Sequence, residues 1–366
     1  MKFELDALLI EESCRESALA RRIRAHVAGS VAVSYIGDAR AAALADRSAA
    51  DPFAAGKRRM IVMRQRGGFV TACPAASSKF ACCGYLVMNL ASNCPMDCSY
   101  CFLQEYLADN PGFQVYANYG DAFDELDRIG RAAAGRNLRI GTGERADSLA
   151  FDSLTGISAD LIEFFAHQPN LLLELKTKTD EIENLLRVDP RGRTLVSWTL
   201  SPPAVFESSE RATASPAERI AAARRVLEAG YRVAFHLDPI IAYPDAAADY
   251  AALLEALFNT IAPPRIAFMS LGGLRMTPGL RRIVRRRFPD DHLMVGEEVL
   301  APDGRFRAFT PLRVGLFRAI NDRIRRAGVS APVYLCMEPA SVHQHVFGAR
   351  PDSPGMIGEC LAQERE

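Results

Sequence analysis

An excess of charge of one sign is missing from this sequence: 44 Lys and Arg balance 44 Asp and Glu over 366 residues. Taken as a total, that neutrality speaks against a nucleic-acid binder, which usually carries a basic surplus. A run of about 18 apolar residues is also missing, so no membrane-spanning helix is expected. The N-terminal stretch MKFELDALLIEESCRESAL has acids where a secretory signal would place a basic and then an apolar region. A cytoplasmic protein with reduced thiols is therefore expected. Low-complexity tracts are absent, and 49% hydrophobic with 24% charged residues is the composition of a folded chain rather than a disordered one. What the sequence does have is nine cysteines, which in a reducing compartment point to metal or catalysis before disulfides.

The neutral total hides an uneven distribution. Residues 1–78 carry 12 basic and 8 acidic residues, and residues 271–326 carry 13 arginines, no lysine and 6 acids. The tail 327–366 has 2 basic and 5 acidic residues, which leaves the middle, 79–270, at net −8. The densest basic run holds Arg281, Arg282, Arg285, Arg286 and Arg287, with Arg275 before it and Arg305 and Arg307 after it. A solvated helix face is the ordinary meaning of such a run. Two arginine clusters with Phe306, Phe309 and Phe317 between them point instead to phosphate contact, for which the planar guanidinium is suited.

The middle alternates strand-like and helix-like segments. GYLVMNLAS, LRIGTG, LLLELKTKT, RTLVSWTLS, RVAFHLDPII and RIAFMSLGG read as six strands. Between them lie helical patterns, among them SPAERIAAARRVLEAGY, which opens on a capping box of Ser215 and Glu218. Strand–helix alternation implies a parallel sheet with right-handed crossovers. Six units predict an α/β fold, a partial (βα)6 TIM-like barrel with N-terminal and basic C-terminal extensions, divided at 1–78, 79–270 and 271–366. Chemistry is then expected at the C-terminal ends of the strands.

The sharpest motif is NCPMDCSYCFLQ, which spaces Cys94, Cys98 and Cys101 as C-x3-C-x2-C just after the first strand. Three thiolates on one loop can hold three corners of a [4Fe-4S] cluster and leave one iron open. A structural zinc would want a fourth protein ligand and paired cysteines. With Tyr100 before the last cysteine and a βα barrel around it, the motif resembles that of the radical S-adenosylmethionine enzymes. GTGE, residues Gly141 to Glu144 after the second strand, resembles that superfamily's glycine-rich segment, which receives the methionine ammonium group. Glycines there permit close backbone approach.

From CPMDCSYCFLQ through SPAERIAAARRVLEAGY to LRMTPGLRRIVRRRFP, roughly residues 80–320, the sequence is similar to the spore photoproduct lyase family. The resemblance implies a [4Fe-4S] cluster on Cys94, Cys98 and Cys101 and S-adenosyl-L-methionine as co-substrate. It also implies a DNA substrate with a thymine photolesion and an external one-electron reductant of the flavodoxin or ferredoxin type. Tyr100 matches an aromatic packed on the cofactor. Gly141, Gly143 and Glu144 match the ammonium site, and Lys178 a lysine that contacts the cofactor carboxylate. Thr199 stands where a serine contacts the same ligand. Two departures accompany the match. Glu144 occupies the place of a cysteine that returns a hydrogen atom to the product, and Phe102 replaces a tyrosine. Cys336, in PVYLCMEPASVHQHVFG with Glu338, His343 and His345 following, becomes the candidate hydrogen donor or auxiliary ligand. The end of the fifth strand offers His236 and Asp238, the latter as a ribose or substrate ligand or a turn-forming residue before Pro239. Cys82 and Cys83 read as a packed strand start, and Cys14, Cys73 and Cys360 as outside the chemistry. Two other readings stay open here: a radical enzyme with a different nucleic-acid or small-molecule substrate, and a nucleic-acid-binding protein stabilised by zinc.

Overall fold

A computed structural model describes residues 3–39, 48–73, 80, 83–133 and 135–349; Cys82 and Cys360 lie outside them. In chain order the strands are β1 (Ala7–Glu11), β2 (Ala32–Ile36), β3 (Arg59–Met63), β4 (Val70–Ala72), β5 (Leu86–Met88), β6 (Ala91–Ser92) and β7 (Phe113–Tyr116). They continue with β8 (Leu138–Gly141), β9 (Leu171–Thr177), β10 (Thr194–Thr199), β11 (Arg232–Ile240), β12 (Ile266–Gly273), β13 (Glu298–Leu300), β14 (Phe306–Ala308) and β15 (Val333–Leu335).

The main sheet has the order β15-β12-β11-β10-β9-β8-β5-β4. Every pair in it is parallel except β4–β5. The six expected strands are there, and β15 adds a seventh parallel one. The helices Asp121–Ala132, Ile157–Ala166, Pro216–Glu228 and Ala246–Thr260 connect them, and the capping box of Ser215 and Glu218 forms in both directions. Between β9 and β10 the segment DEIENLLRV, helical in its apolar spacing, makes only a short 3-10 turn at Leu185–Arg187.

Strand β9 shows why these strands read as near-continuous apolar runs. Leu171, Leu173 and Leu175 are buried on one face, while Leu172 and Glu174 are buried on the other, as parallel strands covered on both sides require. The inner face holds a polar layer. Glu174 accepts from Arg139 of β8 at 2.7 Å and from Ser197 of β10 at 2.7 Å, and His236 Nε2 of β11 lies 2.8 Å away. His236 Nδ1 continues to Ser270 of β12 at 2.6 Å. Arg139 also reaches the Tyr334 hydroxyl of β15 at 3.3 Å. Strands β8 and β15 stand five positions apart in the sheet, so side chains can meet only because the sheet curls into a partial barrel. His236, a candidate for strand-end chemistry, is thereby occupied within this layer.

A second sheet, β2-β1-β3-β7-β6, packs beside the barrel and shares one continuous apolar core with it. Two of its strands lie beyond residue 78, the boundary expected from charge and pattern. GYLVMNLAS, read as one strand, in fact changes sheets. Leu86–Met88 pairs with β8, and Ala91–Ser92 pairs antiparallel with β7. Asn89 marks the break, with its backbone N–H bonded to Phe69 at 2.8 Å. The cysteine loop therefore starts at the junction of the two sheets. The C-terminal region contributes the helices Pro278–Arg287, Thr310–Arg326 and Ala340–Phe347 and the hairpin β13–β14.

Burial opposes the ionisation of Glu174, but Arg139 and His236 outweigh it and hold the carboxyl well below its ordinary range. Removing it strands a buried guanidinium. Glu174→Ala should cost about 3–5 kcal/mol of stability, read from urea unfolding followed by the fluorescence of Trp198, the single, fully buried tryptophan.

Candidate active site at the cysteine loop

The loop bearing the three cysteines is fixed by side chains from all parts of the chain. Asn93 enters it with φ of 72°. Lys57, nearly buried, donates to the Cys94 carbonyl at 3.1 Å and to that of Met96. The Gln104 amide nitrogen reaches the carbonyls of Cys98 (3.3 Å), Ser99 (2.7 Å) and Cys101 (3.2 Å). The backbone N–H groups of Asp97 and Ser99 bond to the carbonyls of Arg211 and Ser209. All three cysteines are free thiols and, with Met96, Tyr100 and Ala150, share one small cluster. Burial pushes the Cys98 thiol up to about 12 and raises that of Cys94 as well. Among the described residues no metal-ready set of three or more His, Cys, Asp or Glu side chains stands assembled. The fit to an iron–sulfur cluster lies in the donors: three unpaired soft thiols on one loop, Cys98 buried and Cys94 and Cys101 partly so.

Beside the loop, at the end of β9, lies a buried ionic knot. Lys178 donates to Glu210 at 2.7 Å and to the Tyr100 hydroxyl, with its ammonium 4.8 Å from the Tyr100 ring centroid. Glu210 also accepts from Ser201 at 2.8 Å, from Tyr100 and from Arg219. Arg219, fully buried on the helix Pro216–Glu228, bonds in turn to the backbone carbonyl of Thr199 at 2.8 Å. Tyr100, Lys178 and Thr199 are thus brought together, through two residues that were not foreseen. Burial alone would raise the Glu210 carboxyl, yet Lys178 and Arg219 hold it well below the ordinary range.

After β8, Gly141 and Gly143 are required by contact. A Cβ on Gly141 would run into the Tyr85 hydroxyl, and one on Gly143 would come within 2.6 Å of the Lys176 side chain. Glu144 pairs with Lys176 at 2.7 Å, a partner not anticipated. Asp147 accepts from the Lys178 backbone N–H at 2.8 Å and from Thr177 at 2.8 Å, setting the end of β9. Asp238, at the end of β11, pairs with Arg275 at 3.2 Å. Cys336 follows β15 on the same inner side. Burial raises its thiol first, with Asp238, Arg275, Cys83 and Glu144 near enough to act on it. Cys83 meets Arg139 at 3.1 Å and belongs to the packed floor of the barrel. Cys14 is buried, away from this site, and Cys73 lies in strand-flanking backbone pairing with Tyr85. Of the later candidates, Glu338 is buried against Arg313 at 2.8 Å, and His343 is buried with its pKa lowered to about 4 by desolvation. His345 caps back onto the Ser341 carbonyl.

The eight arginines expected on a phosphate-binding surface divide. Arg282, Arg285 and Arg286 are exposed. Arg275 is spent on Asp238, Arg281 on Glu298 at 3.4 Å, and Arg305 and Arg307 on Asp303. Arg287 is buried against Asp51 and Asp97. These five, expected on an open phosphate surface, are instead engaged in ion pairs with acids of the protein. The pattern RRIVRRR does not distinguish the outward face of the helix from its end.

A curled parallel half-barrel with three free thiols on the loop that enters it is the arrangement of the radical S-adenosylmethionine superfamily. Residues 19–306 match the family model for spore photoproduct lyase, and the chain belongs to that family. The spore photoproduct lyase of Geobacillus sp. is 27% identical over 210 residues, covering 57% of this chain and 62% of that enzyme. The Clostridium acetobutylicum enzyme is 23% identical over 73% of this chain and 77% of its own length. The chain's match thus spans less than two thirds of the Geobacillus enzyme. Among solved structures, a mutant spore photoproduct lyase with bound AdoMet and dinucleoside spore photoproduct superposes with a TM-score of 0.81 at 20% identity, over 91% of this chain and 99% of that one. A complex of the lyase with dinucleoside spore photoproduct gives the same TM-score over 92% and 100%. No described helix is long and apolar enough to cross a membrane.

Glu210→Gln should lower stability at pH 7 by about 3 kcal/mol, since it weakens a buried pair on two cations. Because the folded carboxyl titrates below its unfolded value of 4.5, its contribution is complete above that pH and is lost as pH falls further. The gap between wild type and variant in urea midpoint should therefore be constant from pH 8 to 5 and shrink only in stronger acid.

Proposed function

We propose that this protein is a radical S-adenosylmethionine lyase that repairs a thymine photolesion of the spore photoproduct type in DNA. The observation that carries the reading is the three-thiol loop, pinned beside Lys178 and Tyr100 at the C-terminal ends of the barrel strands, in a chain that belongs to this family. Cys94, Cys98 and Cys101 would hold a [4Fe-4S] cluster. Tyr100, Gly141, Gly143, Glu144, Lys178, Thr199 and Asp238 would line the S-adenosyl-L-methionine site. When bound, these groups, fed one electron by a flavodoxin- or ferredoxin-type reductant, supply a carbon-centred radical that removes a hydrogen atom from the lesion. The chain's own residues do the rest. Glu210, itself held by Arg219, keeps Lys178 in place, and Gly143 lets the backbone pass close to Lys176. Arg282, Arg285 and Arg286 meet DNA phosphates. The exposed Val299 and Leu300 of the β13–β14 hairpin, with Phe309 and Leu312, supply an apolar edge to help unstack the lesion.

Glu144 is paired with Lys176 and has no weak covalent bond to hydrogen from which an atom could be drawn. Cys336 is the thiol on the inner side of the barrel that can return a hydrogen atom: its S–H bond breaks, a C–H bond forms on the product, and a thiyl radical is left. A second reading keeps the radical chemistry but changes the substrate, and Glu144 with Phe102, 44% exposed, favours it.

Anaerobic reconstitution should give an iron-bearing protein that cleaves S-adenosyl-L-methionine on reduction. A colourless protein inert to the cofactor would leave the zinc reading standing. With dinucleotide and oligomer spore photoproduct, thymine should be released. Cofactor cleavage without thymine release would select the second reading. Cys336→Ala should keep cofactor cleavage while lowering the yield of intact thymine roughly tenfold, measured by chromatography of the products. Replacing Arg285 and Arg286 together with Gln should weaken DNA binding and flatten its salt dependence by about one unit of slope per lost phosphate contact.

A further inference from the structure

The helix Pro278–Arg287 has exposed arginines along its length and a different arginine at its end. The Arg287 side chain is 5% exposed and lies where three parts of the chain meet. Its Nε and one terminal nitrogen approach Asp51 at 2.9 and 2.8 Å, and its terminal nitrogen contacts Asp97, inside the cysteine loop, at 2.9 Å. The other terminal nitrogen donates to the side-chain amide oxygen, Oε1, of Gln104. That same Gln104 holds the carbonyls of Cys98, Ser99 and Cys101 through its amide nitrogen. The guanidinium plane lies 5.0 Å from the ring centre of Phe53 and 4.7 Å from that of Phe288. A planar fork with several fixed donors serves such a junction, where a lysine would offer one point charge.

Four residues further on, the same segment grips the loop again. Asp291, 2% exposed, accepts from Ser99 at 2.5 Å, Ser208 at 2.7 Å and Ser209 at 2.8 Å. Ser99 lies between Cys98 and Cys101, and its backbone N–H is also bonded to Ser209. The loop is therefore held at Asp97 and at Ser99, one residue to either side of Cys98, from the C-terminal region.

We infer that Arg287 and Asp291 are positioning residues for the cluster-binding loop, and that the segment carrying the exposed phosphate-facing arginines is also the brace of the three thiols. Neither residue is placed to touch the cluster; both act through Asp97, Ser99 and Gln104. Groups that orient metal ligands in this way set affinity and reduction potential along with geometry. The inference rests on the cluster reading given above.

The test compares wild type with Arg287→Gln, Asp291→Asn and Arg286→Gln. In the apoprotein, hydrogen exchange of the peptide spanning 93–104 should quicken several-fold in the first two variants. A reporter peptide from β9 should stay as in wild type. After reconstitution, the same two variants should hold less iron per chain and show a shifted midpoint potential, while Arg286→Gln should keep both. Arg287→Lys should recover part of the iron content. Should Arg287→Gln fail to fold, Ser99→Ala, which removes the Asp291 contact from the loop side, carries the same expectation in milder form. Unchanged exchange and unchanged potential in all the brace variants would overturn the proposal. A wild-type protein that takes up no iron would overturn the cluster reading instead, and the exchange of the apoprotein would still decide whether Arg287 and Asp291 brace the loop.

Discussion

One buried carboxylate organises the interior of the barrel. Glu174 joins β8, β10 and β11 directly, and β12 and β15 at one remove through His236 and Arg139. A carboxylate desolvated to this degree is tolerable only if a cation and several donors converge on it, so the strands must stand at fixed separation and stagger for the layer to exist. With that layer set, the next inward-facing positions along the strands fall at the mouth: Lys176 and Lys178 on and after β9, Thr199 on β10, Asp238 on β11 and Cys336 after β15. The candidate site is the next storey of the same stack.

Much of this was legible in the sequence, because parallel strands and their helices leave strong periodic marks. The capping box at Ser215 and the apolar runs of β9 to β12 gave their elements plainly. The three cysteines gave the donor set, since spacing within one loop survives any tertiary arrangement. The break inside GYLVMNLAS was hidden for the opposite reason: both halves are apolar, and only pairing partners far along the chain assign them to different sheets. Glu210 and Arg219 were hidden too. On a helix beginning at Pro216, Arg219 looks like any surface arginine until Glu210 meets it. A signal did exist for the interior layer, since Arg139 is the single charge of β8 and Glu174 interrupts the apolar run of β9, placements that demand a partner.

The arginines show where local composition misleads. Thirteen of them in residues 271–326 suggested a broad phosphate surface, yet those at 275, 281, 287, 305 and 307 neutralise acids of the protein itself. Arg281, Arg305 and Arg307 pair with Glu298 and Asp303 of the same region, Arg275 and Arg287 tie it to the rest of the chain, and the arginines left exposed stand on two helices, Arg282, Arg285 and Arg286 on one and Arg318, Arg325 and Arg326 on the other.

The change of sheet at Asn89 bears on how the chain could be divided. Strands β6 and β7 belong with β1, β2 and β3, although β4 and β5, which come before them, belong to the barrel. A cut near residue 78 would free a fragment whose short β6–β7 ribbon had lost its neighbour β3 and the apolar cover of Met60, Ile61 and Val62. The two sheets are stitched rather than linked in series, and the stitch is the stretch that leads into the cysteines. Any rearrangement of the chain that kept the barrel but discarded the first sheet would unravel the seam from which the ligand loop hangs.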